Sequence, residues 1–170
     1  SEDEINASFK RINNEVISAL EFSFNNIIEF HSKCRESLNL ESIDSEVSRI
    51  FKPIKSALLY APGGKASYPS SVLMAAGPAI ASKVKDLYLT TPFIEGEVND
   101  LTIAAAKVAG INHIAKLGGA QAIAAFSFGT DSIPRVDKIV GPGNSYVTEA
   151  KRQLFGNVGI DAIAGPSEIV

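Results

Sequence analysis

The sequence contains few of the residues that build metal or thiol sites. It has one cysteine (Cys34), two histidines (His31 and His113), one methionine and no tryptophan. A single cysteine excludes an internal disulfide and is typical of a protein in a reducing compartment, so we expect a cytoplasmic location. These residues also fall short of a structural zinc site, which uses about four nitrogen or sulfur ligands. We therefore expect no zinc site within this chain.

Long apolar runs are missing as well. None approaches the roughly 20 residues that a helix needs to cross a bilayer, and the acidic start over residues 1–4 differs from the basic start of a signal peptide. The net charge is −3, with both signs interspersed, which predicts neither a nucleic-acid nor a membrane partner. With 45% hydrophobic and 21% charged residues, the composition is that of a globular protein. Because the sequence stops within an apolar run at Val170, we expect it to be part of a longer protein.

The first 54 residues have the pattern of a helical arm. Apolar residues recur at spacings of three and four, which is the period of a helix with one apolar face; they are Ile5, Phe9, Ile12, Val16, Leu20, Phe24 and Ile27. Poor helix formers at 13–14, 23 and 25–26 predict a break into two helices. Two helices cannot bury this face alone, so it should dock on the rest of the chain or on another chain. A further short helix is expected after Asp44, a suitable N-cap.

Residues 55–170 repeat one unit, in which a short apolar strand is followed by a turn and a helix. The unit returns roughly every 25 residues, which is typical of strands joined by helical crossovers. The predicted strands lie at 57–60, 86–90, 113–117, 137–141 and 158–161. This alternation predicts an α/β domain with a parallel five-stranded sheet and helices on both faces.

In a parallel sheet every strand-to-helix turn lies at the carboxyl edge, where ligands bind. Four of these turns combine glycine with small or polar residues, at 61–64, 118–121, 141–144 and 164–167. Together they predict a binding edge for an extended phosphorylated ligand, because glycine admits a ligand to the backbone and a helix N-terminus favours an anion. Gln121 and Asn144 offer amides, and Tyr60 offers a ring and a hydroxyl. Helix capping by Asn144 and core packing by Tyr60 fit the sequence equally well.

Nucleotide-binding fingerprints and catalytic groups are sparse. The sequence contains neither G-x-G-x-x-G after a strand nor G-x-x-x-x-G-K-S/T. His113 begins a strand at the edge opposite the turns, and His31 and Cys34 lie in the arm, away from them. Two readings therefore remain open: a thiol enzyme with Cys34 as nucleophile, and a stand-alone nucleotide-binding module without catalysis.

Four long motifs carry a specific resemblance. They are YAPGGKASYPSSVLM at 60–74, GGAQAIAA at 118–125, VDKIVGPGN at 136–144 and IDAIAGPSE at 160–168. In this order and spacing they are similar to the motifs of histidinol dehydrogenase, and residues 27–31 of the arm resemble the same family.

The resemblance implies a Rossmann-like, aldehyde-dehydrogenase-like domain over 55–170 that binds NAD, preceded by the arm over 1–54. The family oxidises L-histidinol to L-histidine through an aldehyde, uses NAD and zinc, and forms homodimers. By motif, Tyr60, Gln121 and Asn144 match NAD-contacting residues, and Ser167 matches a substrate contact. The family's zinc ligands and catalytic acid–base residues match no position in this chain. The resemblance therefore implies a fragment that is inactive alone.

Overall fold

A computed structural model describes residues 2–38, 49–63, 67–93 and 96–165. The short helix expected after Asp44 lies largely outside these ranges. The helices are α1 Glu2–Lys10, α2 Asn14–Leu38, α3 Pro69–Ala81, α4 Asp100–Val108, α5 Gly119–Phe128 and α6 Ser145–Leu154. The strands are β1 Ser56–Tyr60, β2 Asp86–Thr91, β3 His113–Lys116, β4 Lys138–Val140 and β5 Gly159–Ile160.

The five strands form one sheet in the order β3-β2-β1-β4-β5, and all of the pairs are parallel. In the register of the central strands, Leu59 of β1 lies opposite Leu89 of β2 and Val140 of β4. The predicted parallel α/β sheet is confirmed, and each strand lies within one or two residues of its predicted position. The order reverses between β1 and β4, because the chain builds outward through β2 and β3 and then returns to the other side of β1.

Helices cover both faces of the sheet, as predicted. On one face Leu59 and Leu89 pack with α3 and α4. On the other face Leu58 and Tyr60 pack with α5 and α6. All five residues of β1 are buried, since this strand has neighbours on both sides and helices above and below. Alanines on α4 bring that helix close to the sheet, and Ala104, Ala105 and Ala106 are fully buried.

The break between the arm helices falls at Asn13, whose side-chain oxygen accepts a hydrogen bond from the N–H of Glu15 at 2.9 Å. α2 then continues without interruption through Ser23, Asn25 and Asn26, where the sequence also allowed a break. These three side chains are exposed. Their weak helix propensity is offset by the apolar residues between them, which pack on the domain.

The arm docks on the domain. Leu20 is 8% exposed and joins the core cluster that contains α3 and α4, and Phe9, Phe24 and Ile27 pack against that cluster. Gly77 of α3 faces Ile27 so closely that a Cβ there would overlap its side chain. The close approach of α2 to α3 therefore depends on this glycine.

Truncation of Leu20 should test how much this docking contributes to stability. Leu20→Ala should lower the free energy of unfolding by about 2 to 4 kcal/mol, since it removes a buried leucine side chain and leaves a cavity. Phe22 on the same helix is 69% exposed, and Phe22→Ala should change stability by no more than about 0.5 kcal/mol. Urea denaturation of both variants checks this, and equal losses would contradict the described packing.

Candidate functional site

The carboxyl edge of the sheet brings the strand-to-helix turns together. β1 and β4 are direct neighbours, so the turns that follow Tyr60 and Val140 flank the point where the strand order reverses. In open α/β sheets the crevice for ligands forms at such a switch point. The geometry therefore places the turn at 141–144, which the sequence analysis identified, in the position where this class of sheet binds its ligands.

Gly141 begins this turn with a backbone conformation that requires glycine. Its φ is +120°, and a Cβ at this position would overlap the carbonyl oxygen of Tyr60. Two residues later, a Cβ on Gly143 would overlap the side chain of Val147. The turn thus lies against the end of β1 and the first turn of α6.

The N-terminus of α6 follows directly. Asn144 is its N-cap, and the Asn144 Oδ1 accepts a hydrogen bond from the N–H of Val147 at 3.1 Å. The capping role that the sequence allowed for Asn144 is therefore present. Its side chain is exposed, and the amide NH₂ group remains as a donor. By helix geometry the N–H groups of Ser145 and Tyr146 have no carbonyl partner within the helix, and they form the positive end of its dipole.

An ion pair between the buried Lys151 and the partly exposed Asp161 holds the same turn. The Nζ of Lys151 donates to the carbonyl oxygen of Gly141 at 2.5 Å and to Oδ1 of Asp161 at 2.8 Å. The other carboxylate oxygen, Oδ2 of Asp161, accepts from the N–H of Gly141 at 2.7 Å. Burial alone would raise the pKa of Asp161, but hydrogen bonds from Lys151 and from the N–H groups of Gly141 and Ala162 hold it below its ordinary range.

This pair was not predicted from the sequence, although one signal was available. Lys151 lies four residues after Val147, so both side chains are on the face of α6 that packs on the sheet. Val147 is fully buried and Lys151 is 4% exposed. A lysine on the buried face of a helix needs an anionic or carbonyl partner, and Asp161 at the end of β5 was the nearest acidic residue in the following unit.

Tyr60 and Gln121 occupy different environments at this edge. Tyr60 is 4% exposed and packs with α5 and α6, and its hydroxyl accepts a hydrogen bond from the N–H of Gly119 at 3.0 Å. Its ring therefore lies in the core, and the hydroxyl holds the first residue of α5. Gln121 is exposed and lies in the first turn of that helix. Tyr60, Gln121 and Asn144 share the carboxyl edge, but their side chains do not hydrogen-bond to one another.

A groove of about 850 Å³ opens beside the turn. α2, α3 and the sheet line it, and the lining is mostly apolar; it includes Leu38, Phe51, Ile54, Met74 and Val140. Gly141, Pro142 and Asp161 form one part of the wall. His31 and Cys34 line the same groove, so these arm residues face a space continuous with the turn instead of lying away from it.

The remaining candidates are dispersed. His113 begins β3 at the amino edge of the sheet, as expected. Within the described residues, no three or more His, Cys, Asp or Glu side chains lie close enough to hold a metal ion.

No described helix is both long enough and apolar enough to span a membrane. Ser167, the candidate substrate contact, lies outside the described residues.

Comparison with known proteins identifies the family. The family model described as histidinol dehydrogenase matches residues 1–170, the whole chain. The chain belongs to the histidinol dehydrogenase family. Histidinol dehydrogenase from Chlorobaculum tepidum is 51% identical over 172 residues, which are 99% of this chain and 40% of that protein. The Neisseria gonorrhoeae protein is 46% identical over 98% of this chain and 39% of its own length.

A solved structure agrees in fold. The crystal structure of histidinol dehydrogenase from Elizabethkingia anophelis matches with a TM-score of 0.88 and 39% identity, over 98% of this chain and 40% of that one. The chain thus spans about 40% of the length of the histidinol dehydrogenases that it matches.

Replacing Gly141 by alanine should lower stability more than the same change at a glycine that also has a positive φ but has open space around its Cβ position. Gly156 has a φ of +101° and nothing within 4 Å of a Cβ. Gly156→Ala should destabilise the chain by about 1 to 2 kcal/mol through strain alone. Gly141→Ala should cost at least about 1 kcal/mol more, because its methyl group meets the Tyr60 carbonyl. Urea midpoints measure both, and equal losses would show that the turn does not lie against β1.

Proposed function

We propose that this chain is the cofactor-binding part of a histidinol dehydrogenase, an NAD- and zinc-dependent oxidoreductase that converts L-histidinol to L-histidine through L-histidinal. Residues 1–54 form the helical arm, and residues 55–170 form the NAD-binding domain. One observation carries the proposal: a chain of this family places its glycine turn 141–144 at the switch point of a parallel sheet. Such an enzyme belongs to histidine biosynthesis.

The turn and its neighbours suit a dinucleotide. Gly141 and Gly143 let the turn pack against the end of β1 and the first turn of α6, since a Cβ at either position would fill space already used by protein atoms. The N–H groups of Ser145 and Tyr146 suit a phosphate, since they lie at the positive end of a helix dipole. The exposed amides of Asn144 and Gln121 suit ribose hydroxyls or a carboxamide.

Tyr60 has a supporting part in this proposal. Its hydroxyl accepts the N–H of Gly119 and so orients the first turn of α5, from which the Gln121 side chain projects. Bound NAD would supply a hydride acceptor. Ser167 would contact L-histidinol.

The zinc ion belongs elsewhere in the enzyme. His31 and Cys34 share one groove, but His113 lies at the amino edge of the sheet, and the described residues hold no cluster of metal ligands. The residues that the structure describes therefore do not fit the zinc ion. We propose that its ligands, and the acid–base residues of the reaction, come from the part of the enzyme that this chain does not contain.

The functional enzyme is proposed to be a cytoplasmic homodimer that acts on a small molecule and binds neither nucleic acid nor membranes. The net charge of −3 with interspersed signs supports the last two points. Large exposed apolar side chains support further packing partners for this chain; Phe51, Ile54 and Met74 along the groove are 45%, 40% and 56% exposed.

Substitutions of Asn144 should separate its capping role from cofactor binding in the full-length enzyme. Asn144→Ser keeps an oxygen that can cap α6 and removes the amide, so stability should be retained while the KM for NAD rises. Asn144→Ala removes both functions. Gln121→Ala, at an exposed position, should raise the KM for NAD without loss of stability. Each loss of a polar contact should correspond to about 1 to 3 kcal/mol.

Steady-state kinetics with NAD and with L-histidinol as the varied substrate, together with thermal melts, measure these effects. The KM for L-histidinol should change less than the KM for NAD. Wild-type cofactor kinetics in both Asn144→Ser and Gln121→Ala would show that the amides do not contact NAD.

The 170-residue chain by itself should hold no zinc and oxidise nothing, because three or four clustered ligands and a base are required. Metal analysis after purification tests for bound zinc, and an NADH-absorbance assay with L-histidinol tests for oxidation. Stoichiometric zinc or steady turnover would place the active site within this chain and contradict the proposal.

A further inference from the structure

Lys151 is the one charged side chain among the buried residues that the structure describes. A buried ammonium group is costly unless its charge and its hydrogen bonds are satisfied. Here the Nζ has two acceptors, the carbonyl of Gly141 and the carboxylate of Asp161. Replacing such a pair by apolar residues is often neutral or stabilising. Stability alone therefore does not account for the pair.

Lys151 and Asp161 together bind both main-chain polar groups of Gly141. Lys151 binds the carbonyl of Gly141, and Asp161 binds the N–H of the same residue. Gly141 is the residue most able to change conformation, because glycine has no Cβ to restrict it. A rotation of this residue would break both hydrogen bonds at once and leave the buried Lys151 with the Asp161 carboxylate as its one remaining acceptor.

The pair also joins two segments of the edge. Asp161 follows β5 and accepts a second backbone N–H, from Ala162, at 2.8 Å. Lys151 lies in the second half of α6, and Gly141 lies between β4 and that helix. Hydrogen bonds donated to one carboxylate thus connect the glycine turn to the segment that begins at Ala162.

We propose that Lys151 and Asp161 are positioning residues that hold the Gly141 turn in its ligand-ready conformation, and that they tune affinity for NAD without contacting it. The proposal deepens the proposed function and rests on it. A fixed turn keeps the N–H groups at the start of α6 and the Asn144 amide in place before the cofactor arrives. The free-energy cost of ordering these groups then does not reduce the affinity for the cofactor.

The test uses the full-length enzyme with Lys151→Met, Asp161→Asn and the double variant. Arg152→Met is the matched control, because Arg152 is the next residue on α6 and pairs with Glu149 in an exposed ion pair. Three quantities are measured for each variant: thermal stability, the separate KM values for NAD and L-histidinol, and hydrogen exchange of the ligand-free peptide spanning 139–147. The exchange measurement does not depend on enzyme activity.

Lys151→Met and Asp161→Asn should each raise the KM for NAD roughly 10- to 100-fold, the effect expected from a small misplacement of a binding group. The KM for L-histidinol should change less than about threefold. Exchange in 139–147 should be faster than in wild type. The double variant should be no worse than the worse single variant, because both act through Gly141. Arg152→Met should match wild type in all three measurements.

Several results would overturn the proposal. One is a loss of thermal stability with unchanged exchange and an unchanged KM for NAD; another is an equal effect of Arg152→Met. Failure of all three variants to fold would show that the pair is required for the fold instead of for positioning. If the wild-type enzyme did not use NAD, the proposed function would fail, whereas the exchange data would still show whether the pair fixes the turn.

Discussion

The contact between the ends of β1 and β4 is the constraint on which the rest of the edge depends. The two strands are adjacent and parallel, although more than 70 residues separate them in the chain. At the carboxyl end Gly141 lies against the Tyr60 carbonyl, where a side chain has no space. At the amino end the Asp137 carboxylate accepts the N–H of Ser56 at 2.8 Å, and this hydrogen bond lowers the pKa of Asp137. Both ends of the pair are therefore fixed by specific contacts.

Tyr60 links this contact to the neighbouring strand and to one face of the sheet. Its main-chain carbonyl meets Gly141, and its side chain crosses to the α5 and α6 side, where the hydroxyl binds the N–H of Gly119. One residue at the end of β1 thus sets the position of two glycine turns. A small displacement of β1 would move both turns, because buried packing transmits shifts instead of absorbing them.

The sequence was sufficient to predict the sheet, because each strand is a short apolar run followed by a turn and an amphipathic or alanine-rich helix. It also located Gly141 and Asn144 as a strand-to-helix turn. It could not locate the pairing of Lys151 with Asp161, since a salt bridge depends on how α6 and β5 meet in space. Nor could it decide between core packing and ligand stacking for Tyr60, because both use an apolar strand end. Local propensity predicted two arm helices, but it could not choose among the three places for the break, because the docking of α2 on α3 keeps that helix continuous where its own propensity is weak.

The edge offers a ligand mainly backbone N–H groups and neutral amides, while the charged groups below it are already paired with one another. Asp161 is bound to Lys151 and to two N–H groups, which keeps its pKa low and its carboxylate occupied. A surface of this kind can bind and orient a phosphorylated ligand, but proton transfer requires a group that can release and regain a proton. Neither of the two histidines of the chain lies on the glycine turns, since one is in α2 and the other begins β3. In the part of the chain that the structure describes, the residues of this edge are therefore suited to binding a ligand and not to proton transfer, independently of the family to which the chain belongs.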